Sequence, residues 1–194
     1  MNAADTAAKV RYLRRFVRFL GGTVSFTVLV ALLFLLCCGC YSLWDSKQVY
    51  RSASSAEYEI YKPNEESSLS FEELQRLNTD VFGWLTVYGT AIDYPLLQGE
   101  DNWEYLNKSC EGKYSLTGSI FLDYRNAKDL SDYNSVMHGH HMAESAMFGD
   151  LDKFNDPVFF SEHEYGSIYY GGSSHGLVFF AYLVADAYDG DIYR

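Results

Sequence analysis

Residues 83–97 read GWLTVYGTAIDYPLL and contain two short apolar runs, residues 83–87 and 91–97, around Tyr88-Gly89-Thr90. Apolar runs joined by a glycine-containing turn predict a strand, a turn and a second strand. Four more segments predict strands, namely residues 118–124 (GSIFLDY), 135–140, 167–170 and 177–184, the last two separated by Gly171-Gly172. Several short strands with polar turns predict a mostly β fold, a barrel or a sandwich.

Short helical inserts are expected between these strands. Residues 70–73 read SFEE, a capping-box pattern that predicts a helix to about Leu77. Residues 102–107 predict a helical turn, and residues 147–154 predict a short helix. The last predicted strand ends close to Ala187, and an uncovered strand edge favours aggregation. We therefore expect residues 70–194 to form a β-barrel domain that is incomplete at its C-terminal end.

The amino-acid composition and charge of the chain exclude one class of binding partner. The chain has 194 residues and a net charge of −11, with 48% hydrophobic, 21% charged and 17% aromatic residues. These values are typical of a globular protein, and the aromatic content favours strands. The residues after the N-terminal segment are strongly acidic, whereas nucleic-acid-binding domains present a basic face. We therefore exclude nucleic acid as a partner.

A membrane anchor is predicted near the N-terminus. Residues 19–44 contain no charged side chain, and residues 24–40 read VSFTVLVALLFLLCCGC. About 20 apolar residues in a helix cross the hydrocarbon core of a bilayer. Five basic residues precede this run, namely Lys9, Arg11, Arg14, Arg15 and Arg18. The positive-inside rule therefore predicts a single-pass protein of the cell membrane, in contact with its lipid and with the domain outside the cell.

This interpretation divides the chain into a cytoplasmic basic tail (1–18), a transmembrane helix (19–44), an extracellular stalk (45–69) and the domain (70–194). Two alternatives for the apolar run are a cleaved signal peptide and a lipoprotein site at Gly39-Cys40. The length of the run and the residues at Cys37 and Cys38 fit these alternatives less well. We interpret the three cysteines as apolar, lipid-facing side chains.

The densest chemical signal is residues 137–142, MHGHHM. In a strand, His138 and His140 would share one face and His141 would point away. Three interpretations remain open from the residues alone. Two imidazoles could bind zinc, the three could be solvated at a strand end, or one could act as a general acid and base.

Five segments, taken in order, resemble class B sortases. They are residues 80–85 (DVFGWL), residues 89–95 with Gln98-Gly99, residues 105–107 with residues 111–113, residues 118–126 (GSIFLDYRN), and Gly139-His140 with Met142 and residues 147–151 (MFGDL). The resemblance covers about residues 70–185. It implies an eight-stranded barrel on an N-terminal membrane anchor, and a cysteine transpeptidase.

The implied reaction joins secreted proteins to the Gram-positive cell wall. A cysteine thiolate cuts the sorting-signal peptide and holds the acyl part as a thioester, which an amine of a cell-wall precursor resolves. A histidine transfers protons and an arginine stabilises the oxyanion, as in acyl transfer generally. Only His140 matches a catalytic position of the family, because it follows Gly139 as in the family's motif. His141 occupies a position that varies in the family, and His138 stands where an aromatic residue is more usual. The resemblance implies no cofactor and no metal.

The family's cysteine and arginine belong to strands that would follow Ala187, so we expect this chain to be truncated and inactive. Arg194 is not assigned the arginine role. Cys110 is a poor substitute nucleophile, because Glu111 beside it opposes thiolate formation and Lys108 helps little. The alternative functions are a non-catalytic, membrane-anchored binding module and a histidine metal-binding domain.

Overall fold

The N-terminal part of the chain is one long helix. The structure, a computed structural model, describes residues 3–63 and 69–186 and divides the chain into two units, residues 1–47 and 48–194. Helix α1 runs from Ala3 to Ser52. It includes an 18-residue window of mean hydropathy 2.4, none of which is buried. The predicted apolar helix is confirmed, and α1 is a candidate membrane span.

The second unit contains the sheet. Its strands are β1 (Val81–Val87), β2 (Asp93–Leu97), β3 (Ile120–Leu122), β4 (Met137–His138), β5 (Tyr165–Tyr170) and β6 (Ser173–Val178). The helices are α2 (Leu69–Leu77) and α3 (Pro157–Glu162), with 3₁₀ turns at Ser55–Glu57, Glu59–Tyr61, Glu104–Leu106 and Gly149–Asn155. In the described residues the strands form one sheet in the order β4-β3-β2-β1-β5-β6. The β2–β3 pair is parallel and the other pairs are antiparallel, so the sheet is mixed.

Both faces of the central strands are buried. On one face Leu85, Leu96 and Ile120 belong to a hydrophobic cluster that continues into the segment after β4. On the other face Trp84 and Phe121 pack with α2 in a second cluster. Because successive side chains of a strand point to opposite faces, consecutive apolar residues serve both clusters. This arrangement explains why β3 reads as an unbroken apolar run.

Residues 48–63 also contribute to this unit. Ala53 is fully buried in the first cluster, and the Tyr94 hydroxyl donates a 2.8 Å hydrogen bond to its carbonyl. Lys62 pairs with Asp93 at the start of β2. Part of the segment interpreted as a stalk thus packs against the sheet. Residues 64–68 of that segment, and residues 187–194 with Arg194, lie outside the described residues.

Three predicted elements need correction. The strand expected at residues 135–140 is only Met137–His138, because β3, the strand that it pairs with in the described part of the chain, is three residues long. The strand expected at residues 177–184 is β6, Ser173–Val178, since the Gly171-Gly172 turn brings Ser173 directly opposite Tyr170. The helix expected at residues 147–154 is the 3₁₀ segment Gly149–Asn155.

Candidate functional site

The histidine segment leaves the sheet at the end of β4. Phe121 pairs with His138 and Leu122 with Met137, and the strand stops there. Gly139 then passes so close to the core that a Cβ would lie 2.4 Å from Ile120 Cδ1 and 2.8 Å from Phe148 Cδ2. A side chain at this position would have to displace the Ile120 and Phe148 side chains, so glycine favours this path of the chain into His140.

The imidazole of His140 is fixed by one hydrogen bond. Its Nε2 lies 2.9 Å from the carbonyl oxygen of Leu106. Because a carbonyl only accepts, Nε2 carries the proton, and Nδ1 is the basic nitrogen of the neutral ring. The backbone is held as well, since Phe148 N–H donates to the His140 carbonyl at 2.9 Å. A half-buried imidazole with one fixed and one basic nitrogen can accept and return a proton.

The other two histidines of the segment have different partners. His138 Nε2 lies 3.2 Å from Asp123 Oδ2, and the His138 ring lies on the Phe121 ring at a centroid distance of 5.2 Å. His141 is exposed, with Nε2 2.9 Å from Asp152 Oδ2. The prediction that His138 and His140 share one strand face is wrong, because β4 ends at His138.

The different partners of the three histidines are relevant to the alternative that they bind a metal ion. The three imidazoles contact a buried carboxylate, a backbone carbonyl and an exposed carboxylate, respectively. Among residues 3–63 and 69–186, no group of three or more potential ligands is placed to hold a metal ion. The geometry of the segment therefore favours separate roles for the three rings.

Cys110 lies in the core. This residue is 1% exposed and belongs to the second hydrophobic cluster, together with Phe121 and Tyr105. Burial raises the pKa of the Cys110 thiol to about 12, and the Glu111 carboxylate adds to the rise. This is the direction that the sequence predicted, and it keeps the thiol protonated at neutral pH.

Asp123 is the site residue that sequence reasoning did not single out. It follows β3 directly, its side chain is 2% exposed, and the His138 ring contacts it. The pKa of this carboxyl is lowered, chiefly by the hydrogen bonds from the Arg125 guanidinium. The signal was present in the residue 118–126 segment, where an acidic and a basic residue stand two apart after an apolar strand.

Known proteins resemble this chain in sequence and in fold. Sortase B of Listeria monocytogenes is 37% identical over 137 residues, which cover 71% of this chain and 54% of the relative. The chain thus spans about half the length of this curated relative. No family model matches the chain.

Solved structures give the same result. A Streptococcus pyogenes class B sortase involved in pilus biogenesis is 48% identical with a TM-score of 0.60, over 62% of this chain and 67% of that one. A Staphylococcus aureus sortase B–substrate complex is 27% identical with a TM-score of 0.54, over 68% of this chain and 60% of that one. The identity and coverage of the streptococcal structure are those of a homologue. The chain belongs to the class B sortase family.

Proposed function

We propose that this chain supplies the acid–base part of a class B sortase transpeptidase, with His140 as its catalytic residue. The observation that carries the proposal is the bond from His140 Nε2–H to Leu106 O. It fixes the tautomer and leaves Nδ1 to exchange a proton with a reacting group. His138 and His141 are each engaged by a carboxylate, so neither ring has the same arrangement.

The proposed reaction is acyl transfer in two steps. A cysteine thiolate attacks the scissile carbonyl of a sorting-signal peptide, and an arginine stabilises the oxyanion that forms. The histidine, which has taken the proton of the thiol at Nδ1, gives that proton to the leaving amine, and a thioester remains on the enzyme. An amine of a cell-wall precursor then gives its proton to the neutral histidine and displaces the thiolate. The staphylococcal sortase B–substrate complex supports peptide binding by this fold.

We infer that none of the four cysteines of this chain is the nucleophile of this reaction. Three of the four cysteines, Cys37, Cys38 and Cys40, lie in α1. The fourth, Cys110, is buried and has a raised pKa. A thiol that stays protonated and inaccessible cannot attack a peptide. We therefore expect this chain by itself to form no acyl-enzyme.

The proposed location is the cell membrane, with α1 as the anchor and the domain outside the cell. Its apolar window supports insertion, and the basic residues before residue 19 support a cytoplasmic N-terminus. An anchored enzyme at that surface meets both secreted proteins and lipid-borne wall precursors. The partners of the chain are therefore a sorting-signal peptide, a precursor amine and membrane lipid.

A chimera tests the proposed function. Residues 1–186 are joined to the C-terminal strands of the streptococcal class B sortase, incubated with a panel of sorting-signal peptides, and examined by intact mass. We expect a thioester adduct on the chimera and none on the chain alone. The matched control is the chimera with its added cysteine replaced by alanine.

Two outcomes would contradict the proposal. An adduct on Cys110 of the chain alone would identify that thiol as the nucleophile. Peptide binding by a folded chimera that never forms an adduct would favour the non-catalytic binding module.

A further inference from the structure

The carboxylate of Asp123 accepts hydrogen bonds from several donors. Arg125 donates from Nε to Oδ1 at 2.9 Å and from Nη2 to Oδ2 at 2.8 Å, and its backbone N–H donates to Oδ1 at 3.0 Å. A two-pronged guanidinium–carboxylate contact fixes orientation as well as charge. With a side chain that is only 2% exposed, Asp123 has a defined position at the end of β3.

Two further donors come from separate segments. Asn102 Nδ2 donates to Asp123 Oδ2 at 2.7 Å, and His138 Nε2 lies 3.2 Å from the same oxygen. The carbonyl oxygen of Asn102 in turn accepts from Tyr124 N–H at 3.0 Å. Asp123 and the residue after it thus bind the segment before the Glu104–Leu106 turn, and Asp123 also binds the end of β4.

Both segments are linked to His140, one by a hydrogen bond and the other by the backbone. Asn102 is four residues before Leu106, whose carbonyl accepts the His140 Nε2 proton. Between them, Asp101 Oδ1 accepts from Trp103 N–H and Glu104 N–H, which makes the path rigid. On the other side, His138 is two residues before His140. One carboxylate therefore links the segment that holds the imidazole to the segment that carries it.

We propose that Asp123 is a positioning residue for His140, acting through Asn102 on the Leu106 carbonyl and through His138 on the backbone. This inference rests on the proposed function, in which His140 transfers protons. A hydrogen-bonded second residue commonly sets the tautomer and orientation of a functional histidine. Here it does so without contacting the ring, by fixing the carbonyl that the ring binds.

The experiment follows the imidazole protons of the full chain in detergent micelles. Histidine is labelled with ¹⁵N, the five rings are assigned by substitution, and the exchange rate of the His140 Nε2 proton with water is measured. We expect Asp123→Asn and Asn102→Ala to accelerate that exchange by about tenfold, the factor expected for one lost hydrogen bond. His138→Phe retains an aromatic ring on Phe121 and should have a smaller effect in the same direction.

The control is Asp129→Asn, since Asp129 is an exposed carboxylate of the following loop whose partner is Ser131 N–H. It should leave the His140 proton unchanged. The proposal would be overturned if the His140 Nε2 proton exchanged at the rate of the unsubstituted protein in both Asp123→Asn and Asn102→Ala. An equal change at His163 and His175 would also overturn it, because Asp123 would then support the whole fold rather than His140.

The same variants in the chimera separate the two proposals. If Asp123→Asn accelerates proton exchange at His140 while His140→Ala leaves peptide cleavage intact, the proposed function fails and the positioning geometry stands. If His140→Ala abolishes cleavage while Asp123→Asn changes neither exchange nor cleavage, only the positioning inference fails.

Discussion

Cys110 and His140 show how surroundings decide what a residue can do. The thiol of Cys110 packs among aromatic rings beside the Glu111 carboxylate, and both features disfavour the thiolate. The imidazole of His140 is half-buried and keeps one nitrogen free of the Leu106 bond. The surroundings of His140 suit a proton carrier, whereas those of Cys110 do not suit a nucleophile.

The Cys110 environment gives a prediction for alkylation. With a pKa of about 12 in place of 9.0, the thiolate fraction at pH 8 is roughly a thousandfold lower than in the unfolded chain. We expect Cys110 to resist iodoacetamide at pH 8 in the folded protein and to react readily in denaturant, as read by peptide mapping. Alkylation at the rate of the denatured chain would show that the thiol is accessible.

The raised pKa also has a consequence for stability. Because the folded-state pKa lies above the unfolded value, the neutral thiol favours folding below about pH 9. That contribution is lost as the pH rises towards 12. Burial likewise raises the pKa of Tyr94 and Tyr105, so the loss at alkaline pH is shared among several groups.

At the scale of the element, the β5–β6 hairpin depends on its two glycines. Gly171 and Gly172 have φ values of 58° and 84°, which suit the two-residue turn that joins Tyr170 to Ser173. Only glycine adopts such angles without cost. The turn therefore fixes the register of the hairpin, and with it the position of β6.

Gly172→Ala should destabilise the protein by about 1–2 kcal/mol, since a Cβ opposes the left-handed backbone. Gly176→Ala is the matched control, because Gly176 lies in β6 and a Cβ there meets no atom within 4 Å. The measurement is urea unfolding of the full chain, followed by circular dichroism. Equal unfolding free energies for the two variants would mean that the turn does not depend on its glycines.

The elements that could be predicted from the sequence have strong local patterns. The β1–β2 hairpin follows from two apolar runs around Gly89, and α2 from its capping pattern, although the helix begins at Leu69. The start of β6 was missed because Ser173, Ser174 and His175 are polar, and only pairing with β5 makes them a strand.

Short elements fixed by tertiary contacts were harder to predict. Helix α3 has six residues, although Asp156 accepts from Val158 N–H and Pro157 stands at its first position, a recognisable start. At the site, the role of His140 follows from the resemblance of Gly139-His140 to the family pattern, and it stays a prediction. Its bond to Leu106 could not be predicted, because that contact joins residues 34 apart in the sequence.

At the scale of the whole molecule, the basic residues before the apolar run and the acidic domain after it have opposite charge. The positive-inside rule therefore predicts a cytoplasmic N-terminus. We expect protease added to intact cells to remove the domain and to leave an N-terminal tag protected. The control is permeabilised cells, in which both should be digested. A protected domain would reverse the topology, and loss of the tag during maturation would favour a cleaved signal peptide.

We propose that His140 performs the proton transfer of a class B sortase. The most direct measurement is peptide cleavage by the chimera with His140→Ala and with His141→Ala, both checked for folding by circular dichroism. General acid–base catalysis contributes about 10²–10⁴-fold, so His140→Ala should lose at least about a hundredfold. His141→Ala should stay close to the parent, since His141 is exposed and pairs with Asp152. Full activity of His140→Ala, with loss of activity in His141→Ala, would contradict this role of His140.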